Sequence, residues 1–156
     1  MIRDFAHADE EDFIRLCKLF YSSDAVLHDV PEENFRRTFA EVMAGSPLVR
    51  GLIIEHEGKR AGYALLGFTH SNEVGGLVVL IEEAYILPEF QGLGLGGGLL
   101  DAVEEEYADS AERLRLEITK TNARARSLYE RKGYRALDYL SMTKDFRART
   151  ADGLIP

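Results

Sequence analysis

Cysteine is nearly absent from this chain. Cys17 is the only one, which rules out an intrachain disulfide and points away from a secreted, disulfide-stapled fold. Long apolar runs are missing as well: the longest, Leu77 to Ile81, falls far short of the roughly 18–20 residues a membrane helix needs. The start MIRDFAHADEED carries charges where a secretory leader needs its apolar stretch, so the expected compartment is the cytoplasm, with no membrane partner. Basic residues are the third shortage. Nineteen Lys and Arg against twenty-seven Asp and Glu leave −8, the wrong sign for a phosphate-neutralising surface, so no nucleic-acid partner is expected. The same charge would suit a cationic substrate, and it serves solubility equally well. The four histidines, at 7, 28, 56 and 70, show neither i, i+4 zinc spacing nor a cysteine partner, so no metal is expected. Internal repeats and low-complexity tracts are lacking too.

What remains is an ordinary globular composition, 46% apolar and 29% charged over 156 residues, enough for one domain and one core. Residues 1–146 are expected to form that domain and 147–156 a frayed C-terminal tail. Met1 to Ala6 form a short strand, and Asp9 with its acidic neighbours offers a cap to a first helix. Phe13, Leu16, Cys17 and Phe20 recur at i, i+3, i+4, i+7, which makes Cys17 a small core hydrophobe. Pro31, Glu32 and Glu33 announce a second helix carrying Phe35, Phe39, Val42 and Met43 on one face. From Leu48 the period changes to that of strands, at Leu52 to Ile54, Ala61 to Thr69 and Leu77 to Leu87, an antiparallel meander. A helix marked by Leu95, Leu99, Leu100, Val103 and Tyr107 leads to a strand at Leu114, Leu116 and Ile118, which implies parallel pairing. A last helix runs from about Asn122 to Gly133, followed by two strand candidates, Tyr134 to Leu137 and Tyr139 to Lys144. The expected class is α/β, of α+β type: one mixed β-sheet flanked by helices, in the order β-α-α-β-β-β-α-β-α-β-β.

The most informative stretch is PEFQGLGLGGG, residues 88–98, between a strand end and a helix start. Glycines in a helix's first turns cost about 0.5–1 kcal/mol each relative to alanine, so their crowding suggests a bulky group close to the backbone. A phosphate fits, because free amides at a helix N-terminus make an anion site without a cationic side chain. A tight turn with close helix packing would explain one or two of these glycines. A Walker A loop is excluded, since no Lys-Ser or Lys-Thr follows. Gly92, Gly94 and Gly97 do satisfy the dinucleotide pattern G-x-G-x-x-G, with Glu117 about 20 residues on. Against that reading, residues 88–91 intervene between strand and glycines, and a meander stands where another βα unit belongs.

Gln91-Gly92-Leu93-Gly94-Leu95-Gly96 resembles the (Arg/Gln)-x-x-Gly-x-(Gly/Ala) signature of the GCN5-related N-acetyltransferase (GNAT) family. The flanking stretches EEAYILP (82–88), Leu116-Glu117-Ile118 and NARARSLYERKGY (122–134) are similar to that family too. The resemblance covers residues 77–144 by motif and the rest by layout. It implies acetyl-CoA as the acyl-donor cosubstrate, with its pyrophosphate on the main-chain amides of Gln91, Gly92, Leu93, Gly94, Leu95 and Gly96. It also implies that Ile86 and Leu87 pair with the pantetheine arm, and that Asn122 contacts the cofactor's other side. Gln91 is a permitted variant of the family's usual arginine. The strands ending near Leu87 and Ile118 are expected to splay apart around the acyl group.

Acetyl transfer needs a neutral amine, and an alkylammonium of pKa about 10.4 must lose a proton to a base. Glu82 and Glu83 interrupt an apolar strand and stand on opposite faces unless a bulge intervenes. The family draws its base from this strand or from a position matching Glu117, so Glu83, Glu117 and Glu82 stay level. Tyr129 matches the family's general acid, which would protonate the leaving thiolate. It lies seven residues after Asn122 on nearly the same helical face. Direct attack by the amine is the expected mechanism, with a small-molecule or peptide amine as acceptor. In the family the acceptor site falls at residues 20–47 and 68–76, where Asp24, Asp29, Glu32 and Glu33 supply acidity. A homodimer is a common state among the relatives. Two alternatives stay open: a noncatalytic CoA-binding regulatory module and a Rossmann-type nucleotide oxidoreductase.

Overall fold

The computed structural model describes residues 1–23, 30–146, 149–150 and 153–154. Three strands rich in β-branched and aliphatic residues form its centre: β2 (Val49–His56), β3 (Lys59–Ser71) and β4 (Gly76–Ile86), paired antiparallel. β1 (Ile2–Asp4) joins antiparallel at the β2 edge and β5 (Arg113–Leu116) parallel at the β4 edge, giving the order β1-β2-β3-β4-β5. A parallel neighbour requires a crossover, and α3 (Leu95–Tyr107) supplies it. The antiparallel run ahead of the glycine loop is not the doubly wound sheet that a dinucleotide enzyme needs.

Strand alternation divides the core in two. Ile53, Tyr63 and Leu65 face α1 (Glu10–Tyr21) and α2 (Glu32–Met43) and pack on Phe13, Leu16, Cys17, Phe35 and Phe39. Leu52, Ile54, Ala64, Leu66, Val79 and Ile81 face the other way. They meet Leu99, Leu100 and Val103 of α3, with Leu128 and Tyr129 of α4 (Ala123–Arg131) against the same cluster. Among the described residues no helix is long and apolar enough to cross a membrane.

Asp9 stands at the N-cap position of α1 as expected, but its side chain does not cap that helix. Its fully buried carboxylate accepts from the Ala6 N–H at 2.8 Å and from Arg3 at 2.6 and 3.0 Å, tying β1 to the start of α1. Arg3 holds that carboxyl down at about 2.

The last two strands fall elsewhere than expected. Residues 134–146 form no strand, and Tyr139, Leu140, Met142 and Phe146 stand 74–94% exposed. Their apolar alternation is a strand signal, but a strand exists only where a neighbour completes its hydrogen-bond ladder, and among the described residues this segment does not pair with the open edge of β5. The closing strands are instead β6 (Arg149–Thr150) and β7 (Gly153–Leu154), a short antiparallel pair in the segment expected to fray.

Two irregularities in β4 shape the site. Leu65 pairs with Glu83 but Leu66 with Ile81, so Glu82 is the extra residue of a β-bulge. The β4–β5 ladder runs only from Val78↔Arg113 to Ile81↔Leu116, whereas β4 continues to Ile86. Past Ile81, where β5 also ends, the β5 side of β4 has no strand partner among the described residues, a gap in the pairing that begins at Glu82 and Glu83.

Candidate active site

The bulge settles on which side the two glutamates stand. Both line a cavity of about 450 Å³ on the α1/α2 face, together with Cys17 and Tyr21 of α1 and Asn34 and Thr38 of α2. Glu83 is held from two elements: Tyr63 Oη donates to Oε2 at 2.6 Å and Tyr21 Oη donates to Oε1. Burial pushes the Glu83 carboxyl above its usual range, and the two phenol donors pull against that rise by favouring the charged form. Burial and the neighbouring carboxylate raise both tyrosines well above 10, so they act as fixed donors. Cys17 is 1% exposed and its thiol is pushed up to about 12 by burial, the core role expected of it. Glu117 lies elsewhere, one residue beyond β5, with its side chain 64% exposed and 3.2 Å from Arg115.

Glu32 and Glu33 form ion pairs on the outside of α2, with Lys18 and Arg36 and with Arg37, as carboxylates in a helix's first turn commonly do. Asp24 and Asp29 lie outside the described residues. The acids that do reach the cavity are Glu41, Glu82 and Glu83.

The glycine loop joins β4 to α3. A 3-10 turn over Pro88–Phe90 closes with Phe90 N–H on the Leu87 carbonyl and Gln91 N–H on the Pro88 carbonyl. Gly92 and Gly94 follow at φ +84° and +79°, left-handed values that side-chain-bearing residues rarely adopt. A side chain at Gly96 would begin 3.4 Å from Leu128 of α4, so this glycine serves helix packing. The first bond into α3 is Gly98 N–H to the Gly94 carbonyl at 2.9 Å. Between Gln91 and Gly98, the N–H groups of residues 92–97 donate to no acceptor among the described residues. Six successive free amides at a helix N-terminus make a ready anion cradle. Leu93 and Leu95 lie within this row, Leu93 half-exposed.

Ile86 and Leu87 differ from each other in their main-chain partners. Leu87 donates its N–H to Ala61 on the β3 side and is buried, while the Ile86 carbonyl accepts from Gln91 Nε2 at 3.0 Å. Gln91 Oε1 in turn accepts from Arg124 at 2.9 Å. Asn122 is the N-cap of α4, its Oδ1 accepting from Ala125 N–H at 3.1 Å. Tyr129 follows on α4 against the α3-side cluster, its ring 5.8 Å from that of Tyr134. Its hydroxyl has no hydrogen-bond partner among the described residues, and burial raises its pKa above 10.

Glu83 and Tyr129 thus lie on opposite faces of the sheet, with the gap beyond Ile81 between those faces. Sequence reasoning missed Tyr21, Tyr63 and Arg124. The visible signal for the tyrosines was a hydroxyl-bearing ring on an otherwise apolar buried stripe, a position where a phenol needs a partner.

Comparison with known proteins agrees with this architecture. The family model described as acetyltransferase (GNAT) family matches residues 11–134. The chain belongs to the GNAT acetyltransferase family. It is 34% identical over 85 residues to the N-acetyltransferase YhfO of Bacillus subtilis, covering 53% of this chain and 56% of that protein. It is 36% identical over 73 residues to the thialysine N-epsilon-acetyltransferase of Bos taurus, covering 46% and 42%. The chain therefore spans about half the length of the curated relatives it matches. Among solved structures, AAC(6')-Iy in complex with the bisubstrate analogue CoA-S-monomethyl-acetylneamine superposes with a TM-score of 0.76 at 17% identity, covering 93% of this chain and 97% of that one.

Proposed function

We propose that this protein is an N-acetyltransferase that moves an acetyl group from acetyl-CoA to the primary amine of a small molecule by direct attack. One observation carries the reading: a gap in the sheet pairing, with a half-buried glutamate over a cavity on one face and six free main-chain amides with a tyrosine on the other. The residues present fit acetyl-CoA, because the amides of residues 92–97 suit a diphosphate and β4 from Glu82 to Tyr85 has no strand partner on its β5 side among the described residues, an edge open to an extended arm. When bound, acetyl-CoA supplies an acetyl group activated as a thioester.

The chain's own groups do the rest. Glu83 accepts the amine proton, and its raised pKa makes it a stronger base than an exposed carboxylate. Tyr21 and Tyr63 fix its two oxygens towards the cavity. Tyr129 keeps its proton at neutral pH and delivers it to the departing thiolate, whose own pKa is about 8.5. Glu82 and Glu41 give the cavity a negative lining, and the Arg37 charge is offset by Glu33. That lining favours a cationic acceptor, and the volume suits a compact one. A lysine-like amine in the bovine relative's name and an aminoglycoside-derived analogue in the AAC(6')-Iy complex point the same way.

The test is thiol release from acetyl-CoA across a panel of polyamines, aminoglycosides, amino acids and N-terminal peptides. Release accelerated by a small cationic amine supports the reading. No acceleration by any amine, with CoA bound, would leave a noncatalytic CoA-binding module as the better account.

A further inference from the structure

Arg124 is held at the edge of the glycine loop in a way its own helix does not require. Its guanidinium Nη1 donates to Gln91 Oε1 at 2.9 Å, and Gln91 Nε2 bonds the Ile86 carbonyl at 3.0 Å. One neutral amide thereby bridges the end of β4 and the first turn of α4. Arg124 makes no ion pair among the described residues, on a chain of net charge −8 where Arg3, Arg36, Arg37, Arg50 and Arg60 each have a carboxylate partner. A positive charge in a helix's first turn is also disfavoured by the helix dipole. Its partner Gln91 immediately precedes the row of amides, 92–97, that have no acceptor among the described residues.

We propose that Arg124, positioned by Gln91, is the cation that binds the CoA diphosphate from the α4 side of the loop. Gln91 itself brings no charge to the phosphates, and its carbonyl end delivers one from another element. A guanidinium has five N–H donors in a planar fork, so the bond to Gln91 leaves donors available for phosphate oxygens. This inference rests on the acetyl-CoA reading above, and binding alone separates the two.

The experiment is calorimetric titration of CoA and of dephospho-CoA into the wild-type chain, Arg124→Gln, and the double variant Arg124→Gln with Gln91→Arg. Both side chains are exposed, so the variants are expected to melt like the wild type without ligand. Arg124→Gln should weaken CoA and dephospho-CoA alike, by about fivefold to tenfold, with a shallower salt dependence, as expected for a lost charge-assisted contact near solvent. Adding Gln91→Arg should recover most of the affinity, because it restores a guanidinium at the same edge of the loop. Unchanged affinity in Arg124→Gln would overturn the inference while leaving the acetyl-CoA reading intact. A loss seen with CoA but not with dephospho-CoA would overturn it too, since Arg124 would then serve the 3′-phosphate. A double variant no tighter than Arg124→Gln would also count against it. A wild-type chain that binds no CoA would overturn both readings together.

Discussion

The two faces of the sheet build their halves of the site from different material. On the α3/α4 face the anion cradle is main chain, six amides from consecutive residues, shaped by Gly92 and Gly94 and by the start of one helix. On the α1/α2 face the cavity is side chain, with Glu83 from β4, Leu65 from β3, Tyr21 from α1 and Asn34 and Thr38 from α2. The first kind of site is local in sequence and the second is assembled from four separate elements. A main-chain cradle is insensitive to most side-chain changes in its neighbourhood, whereas the cavity depends on the identity of each residue lining it.

Substitutions on the two faces should therefore separate binding from chemistry. The largest expected effect is Glu83→Gln, which removes the proposed base while keeping its shape. Amine-dependent kcat/KM should fall about 10²- to 10⁴-fold, with CoA affinity by calorimetry unchanged. Gly94→Asp acts on the other face: a residue at φ +79° is strained, and its carboxylate meets the phosphates, so CoA affinity should fall about 100-fold or more. Tyr129→Phe should slow turnover about tenfold, as read in single-turnover thiol release, and spare CoA binding.

A pH profile sharpens the account of the cavity. If Glu83 is the base, as proposed, it must be ionised, so kcat/KM should rise with pH through a midpoint above the ordinary 4.5 of a glutamate. Tyr21→Phe and Tyr63→Phe each remove a donor to the charged form, so that midpoint should move to higher pH. Movement to lower pH would contradict the assignment. The smallest effect is Glu117→Gln, with kcat/KM within about twofold of wild type, because Glu117 sits exposed on Arg115 away from the cavity.

The same contrast explains what could be read before the fold was known. The glycine loop, Asn122 and Tyr129 are contiguous or helically spaced, and a local pattern carries them directly. The elements from the first strand to the last helix were equally visible, since each depends on periodicity within itself. The bulge at Glu82 was not, because it is a mismatch in register between two strands and leaves no mark on either alone. Nor were Tyr21 and Tyr63 as partners of Glu83, 62 and 20 residues away. Residues 134–146 failed in the opposite sense: they have a strand's alternation but pair with no strand among the described residues.

The most direct measurement is a crystal structure with CoA bound. The account predicts its diphosphate on the amides of residues 92–97 and its sulfur in the gap past Ile81 and Leu116, with Glu83 on one side and Tyr129 on the other. CoA lodged elsewhere, or a sulfur remote from that gap, would contradict it.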